Sequence, residues 1–319
     1  MTDDRLSTGF WAKGRGPAPA PTLAMTQLFD VAGTYPVRGG GPPANSMAMV
    51  HSFAGSYGAY GASTCAGQTF QEPQNIPLAS LIGPTYGGGD QGLELPDLRG
   101  RTPSGADAAG GNPIGMVSRG GLAMTYLIAA EAGAGPPGTY PMIGAIGLFA
   151  AIWVPAGWLA ADGSPFAISQ NVALFETIGS AFGGNGATFF ELPDLKGRAA
   201  MGAGAGPGLA PVAVGQLVDN SASDMVAALG INYVINTSGT APPPSGNGGF
   251  PQETAMLGEV IAFAGPTAPA GWALCDGSLL AVQANQPLFE LIGTTYGGDG
   301  QESFALPDLR GRMLTGPAR

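Results

Sequence analysis

The sequence predicts a mainly β protein made of three tandem α+β modules, each with short strands and one short helix. Three observations carry this. The phrase Leu95-Pro96-Asp97-Leu98-Arg99-Gly100-Arg101 returns as Leu192-Pro193-Asp194-Leu195-Lys196-Gly197-Arg198 and as Leu306-Pro307-Asp308-Leu309-Arg310-Gly311-Arg312. A matched repeat decides architecture before anything else. Glycine (55) and proline (29) are abundant, while charged side chains make up 11% of the 319 residues; that is too apolar for a disordered chain and too glycine-rich for long helices. Short apolar runs alternate with Gly, Pro and Asp-Gly turn signals.

The register extends upstream of the phrase. Each module opens with a β-like run: Met47–Phe53, Ile143–Phe149 and Leu257–Phe263. A Gly/Pro/Ala loop leads to a second strand carrying Trp158 and Trp272, with Ala62 at that place in the first copy. The strand ends in the turns Cys65-Ala66-Gly67, Ala161-Asp162-Gly163 and Cys275-Asp276-Gly277. Segments Asn75–Ile82, Asn171–Ile178 and Asn285–Ile292 then read as helices. Asn caps each start, and Pro77 and Pro287 suit the first turn. Leu78, Leu81 and Ile82 share one face, as do Leu288, Leu291 and Ile292. Gly83, Gly179 and Gly293 fall where a left-handed residue ends a helix.

The chain divides into an arm (1–44), a module (45–104), a linker (105–140), a module (141–201), a linker (202–255) and a module (256–319). Arm and linkers hold a second repeat: Leu23-Ala24-Met25-Thr26-Gln27-Leu28-Phe29, Leu122-Ala123-Met124-Thr125-Tyr126-Leu127-Ile128 and, more weakly, Leu229-Gly230-Ile231-Asn232-Tyr233-Val234-Ile235. These read as strands, followed by the tracts Gly39–Pro43, Gly133–Gly138 and Pro242–Gly249. A module of about sixty residues buries too little surface to stand alone, so each leans on a neighbour.

Two arrangements fit. If each strand completes the module before it, the third module is open and residues 22–30 are spare. Leu23, Met25, Leu28 and Phe29 would then fill the open module of another copy, a head-to-tail strand addition that builds filaments. If each strand serves the module after it, the result is a closed monomer or a side-by-side oligomer. The sequence leaves both open.

The repeated phrase offers carboxylates with cations two and four residues on: Pro96, Asp97, Arg99 and Arg101; Pro193, Asp194, Lys196 and Arg198; Pro307, Asp308, Arg310 and Arg312. One reading is a carboxylate–guanidinium ligand site. The favoured one is a closing turn, in which Pro fixes the backbone, Asp bonds local amides or Arg, and Leu fills the core. Asp162 and Asp276 read as turn formers. His51 is the sole histidine, and Gly147 and Ile261 hold its place in the other copies. It reads as a partly buried or surface residue with no partner for a catalytic triad or zinc site. Cys65 and Cys275 occupy equivalent places and read as buried free thiols.

No catalytic site, metal site or cofactor motif is expected. The formal net charge is −10 with no basic stretch, which argues against nucleic acid and anionic membranes. No segment has the roughly twenty apolar residues of a membrane span. The acidic start, Met1-Thr2-Asp3-Asp4-Arg5, lacks the features of a Sec signal.

The third copy carries Gly258-Glu259-Val260, Gly271-Trp272-Ala273-Leu274-Cys275-Asp276-Gly277 and Leu291-Ile292-Gly293-Thr294-Thr295-Tyr296-Gly297-Gly298-Asp299-Gly300 before its Leu-Pro-Asp-Leu-Arg-Gly-Arg ending. It resembles the phage tail-collar domain, which includes the bacterial proteins called microcystin-dependent. The first copy departs at Ala62 and Ala66. The family's His-containing segment has no counterpart here. The resemblance implies a non-enzymatic structural subunit of a phage-like tail appendage or extracellular filament, with itself as partner. The alternative is a carbohydrate-binding adhesin whose variable loops present Tyr57, Tyr60 and Trp153 to cell-surface glycans.

Overall fold

The computed structural model describes residues 21–31, 33–36, 46–55, 62–71, 75–89, 92–107, 112–118, 120–132, 141–151, 153–220, 225–238 and 255–317. The first strand of each module is a five-residue, mostly apolar run, Met49–Phe53, Ala145–Phe149 or Glu259–Phe263. All of these residues except Leu148 are buried, as suits strands covered on both faces. These inner strands pair with one another antiparallel, the start of each against the end of the next. Met49 and Val50 meet Phe149 and Leu148; Ala145 and Ile146 meet Phe263 and Ala262; Glu259 and Val260 meet Phe53 and Ser52. The three form a triangle about a pseudo-threefold axis.

The linker strands wrap this triangle. Residues Gly121–Ala129 and Ala227–Asn236 are long enough to serve two modules at once. The second half of each runs antiparallel to the inner strand and the Trp-bearing strand of the module that follows: Leu127 faces Gly147 and Ala160, and Val234 faces Ile261 and Leu274. The first half runs parallel to the last strand of the module before, Thr102–Gly105 or Arg198–Gly202. The arm repeats the pattern in two pieces. Thr26–Asp30 pairs with Met49–Phe53 and Ala62–Thr64. Thr22–Ala24 pairs in parallel with Met313–Thr315, the last strand of module three.

The ring therefore closes within one chain. Each strand serves the module after it, as the second arrangement expected, and also joins the module before it. The third module is not open to filling by another copy, contrary to the first arrangement, because its last strand already holds Thr22–Ala24 of its own chain. The count that left a spare strand assumed one module per strand. Leu28, Phe29 and Met25 are fully buried, and Leu23 packs against the core.

Among the described residues the α-helices are Ile76–Ile82, Val172–Ile178 and Gln286–Ile292. Their Gly83, Gly179 and Gly293 ends are left-handed, with φ of 50°, 62° and 55°. The Asn residues precede the helices but do not cap them. Their side-chain amides instead donate backwards to the Gln71, Ala167 and Ala281 carbonyls, tightening the incoming turn.

No module keeps a private core. One buried cluster runs from Met25 and Ala54 through Tyr126, Phe190 and Leu257 to Leu314. At the start of each inner strand stands a left-handed residue: Gly144 (φ 83°), Gly258 (φ 78°) and, without glycine's freedom, Ala48 (φ 68°). Ala48→Gly removes that strain at the cost of some unfolded-state entropy. A net gain of about 0.5–1 kcal/mol in chemical denaturation is expected.

Candidate functional site

The thrice-repeated phrase folds as a closing turn whose polar groups are used locally. Arg99 donates to both Asp97 oxygens from Nε (2.8 Å) and Nη2 (3.0 Å), and Arg101 Nη1 donates to the Asp97 carbonyl at 2.7 Å. Asp308 repeats this with Arg310 at 2.9 and 3.0 Å and Arg312 at 3.0 Å. In the second copy Arg198 bonds the Asp194 carbonyl at 3.1 Å and its carboxylate at 2.6 Å, and the Lys196 amide donates to Asp194 Oδ1. The motif leucine amides donate to the carbonyls of Cys65, Ala161 and Cys275, tying each phrase to the turn after the Trp position. Pro96, Pro193 and Pro307 precede these turns.

Each turn also forms the joint to the preceding module. The amides of Gly100, Gly197 and Gly311 donate to the carbonyls of Gly316, Gly105 and Gly202 at 3.0, 2.9 and 2.7 Å. At Gly105, Gly202 and Gly316 a Cβ would overlap the carbonyl oxygens of Leu195, Leu309 and Leu98. These glycines were missed from the sequence, although each stands four residues past the final Arg of its phrase. Two tyrosines fasten the same joints: Tyr126 donates to Pro103 and Tyr233 to Ala200, both at 3.2 Å. Tyr86 and Tyr296 reach the carbonyls of Ala150 and Ala54 in the next module, both at 3.1 Å.

Arg99 holds the Asp97 carboxyl down to about 2, and Arg310 likewise lowers that of Asp308. A depressed carboxylate stabilises above its ordinary value of 3.8 and loses that contribution as pH falls through the folded value. Wild type is therefore expected to melt higher than Asp97→Asn at pH 5, with the gap closing toward pH 2.

Two clefts lie at equivalent joints. One, of about 320 Å³, is lined by Gly105, Ile114, Val154, Asp162 and Lys196. The other, of about 370 Å³, is lined by Gly202, Val212, Asn232, Asp276 and Arg310. Asp162 and Asp276 are turn formers, accepting from the Ser164 and Ser278 amides at 3.1 and 3.0 Å.

Trp153 is half-buried and meets Phe149 edge-on, with centroids 5.6 Å apart. Tyr57, Tyr60 and the three Gly/Pro tracts lie outside the described residues. Cys65 and Cys275 are buried and free. His51 is not a partly exposed residue but a buried one between two acids. Its Nε2 lies 2.8 Å from Asp30 Oδ2, and its Nδ1 2.7 Å from Glu259 Oε1. The sequence signal was present, because all three positions are uncharged at the other joints: Ala129, Gly147 and Met49, then Asn236, Ile261 and Ala145. Among the described residues no group of His, Cys, Asp and Glu could hold a metal ion. No described helix is long and apolar enough to cross a membrane.

The three repeated β modules are closed by turns whose polar groups are satisfied locally. The Phage Tail Collar Domain family matches residues 48–103, 144–200 and 258–314, more than half of the chain. The chain belongs to that family, with three copies in tandem. No curated protein and no solved structure matched.

Proposed function

We propose that this chain is a non-enzymatic structural subunit of a phage-like tail appendage, acting as a single-chain hub with threefold pseudo-symmetry. The observation that carries this is the cyclic pairing of three collar modules, with Gly105, Gly202 and Gly316 at equivalent joints. A threefold scaffold fits a threefold-symmetric neighbour, whether a fibre or a stack of its own copies. Assembly then proceeds between closed rings. Electron microscopy of the native protein is expected to show compact particles, single or stacked on one axis. Strings of separate beads would contradict it.

Ligand binding is the second reading, favoured by the two clefts and their joint position. Cell-surface glycans are the expected class, bound weakly at each cleft and more tightly by avidity. A glycan array should show signal that falls in Asp162→Asn with Asp276→Asn. No binding by the intact protein ends this reading.

A further inference from the structure

Three joints hold the ring, and only two of them are crossed by a linker covalently joined to both modules it pairs with. The third, between modules three and one, depends on the separate pairing of Thr22–Ala24 with Met313–Thr315. It also lacks the linker-strand tyrosine of the other two, although Tyr296 bonds the Ala54 carbonyl across it. Gln27 takes that place, turning to the Met25 carbonyl at 3.2 Å and accepting from Ser52 at 3.0 Å. Among the described residues the buried ionisable pair His51 and Glu259 lies at this joint, with the largely buried Asp30 beside it. Asp30 comes from the arm strand, His51 from the inner strand of module one and Glu259 from the inner strand of module three.

We propose that the Asp30–His51–Glu259 cluster is a proton-dependent latch, holding the ring closed at the one joint that no linker crosses covalently. Both ring nitrogens face carboxyl oxygens, so with both acids ionised both nitrogens must carry hydrogen for the contact to be attractive. A neutral imidazole has one N–H and would turn a lone pair toward the other acid. Loss of that proton leaves the buried Glu259 and the largely buried Asp30 carboxylates with one donor between them, and their surroundings give little solvation.

Among the described residues, the charged groups acting on His51 are Asp30 and Glu259. Burial pushes the Cys65 thiol well above the ordinary range, with Asp30 and Asp97 adding to the shift. Burial opposes charge on His51, yet the two acids more than offset it and hold its pKa well above 6.5. Burial likewise raises Asp30, against the pull of His51. A raised value means stability fully present below the unfolded pKa and lost as pH rises through the folded one. The Asp30 shift acts from its ordinary 3.8 upward, and the His51 shift loosens the joint as pH rises from 6.5 through the raised histidine value.

His51 is the only histidine, so ring-nitrogen NMR reads it without assignment. Both nitrogens are expected to remain protonated at pH 8; a neutral ring there would overturn the latch. Hydrogen exchange then locates the effect. As pH rises through the histidine titration, protection of the Met25 and Ala54 amides, bonded to Thr315 and Gly258, should fall tenfold or more, about one pKa unit's worth. The equivalent Ala150 and Ala264 amides, bonded to Ala48 and Gly144, should hold.

The triple variant Asp30→Asn, His51→Ile and Glu259→Ala copies the uncharged joint between modules two and three. It should fold and lose this pH dependence. Equal loosening of all joints, or unchanged pH dependence in the triple variant, would show that the cluster is not the latch.

Discussion

Gly202→Val is expected to destabilise the protein by about 4 kcal/mol, near the upper range for one substitution. The added Cβ overlaps the Leu309 carbonyl oxygen, a backbone atom that cannot rotate away. The Gly202 carbonyl also accepts from the Gly311 amide at 2.7 Å, so parting the strands breaks the joint between modules two and three. Gly197→Ala is the control. Gly197 has a φ of 64° with nothing near its Cβ, so only backbone strain of about 1–2 kcal/mol applies. Denaturant midpoints of both variants give the comparison. A Gly202→Val cost no larger than that of Gly197→Ala would mean that the strands do not approach so closely.

Phe190→Ala should cost about 3–5 kcal/mol, the range for emptying a large buried aromatic site. Phe190 is wholly buried, with the rings of Phe166 and Phe175 at 6.4 and 5.5 Å. Its cluster reaches Met25 at one end of the chain and Leu314 at the other. The loss should therefore lower one cooperative transition of the whole ring. Separate melting of module two, with the remainder unshifted, would contradict a shared core.

Much of the module could be read in advance because three copies check one another. Short strands, two-turn helices and their glycine ends follow from patterns within about ten residues. The closing turn was legible for the same reason: Asp97 and Arg99 lie two residues apart and satisfy each other. The ring was not legible. It depends on pairings such as Leu23 with Leu314, which no local pattern encodes.

The Asn side chains were misjudged because their position before a helix does not settle which way an amide points. His51 was misjudged through comparison with its own equivalents alone. Its partners lie on other strands, at positions 30 and 259, and only the joint as a unit shows three charges where its siblings have none. Gly105, Gly202 and Gly316 escaped because the phrase was read as ending at its arginine.

Closure of the ring within one chain is the central claim, and a disulfide tests it directly. Leu23→Cys and Leu314→Cys place thiols at registered partners on adjacent parallel strands, within the roughly 7 Å that a disulfide tolerates. Cys65→Ala and Cys275→Ala remove the native thiols, and Ala161 already stands at that place in module two. After mild oxidation at low protein concentration, a non-reducing gel should show one cross-linked band of single-chain mass. A ladder of linked chains, or no cross-link at all, would contradict the closed ring.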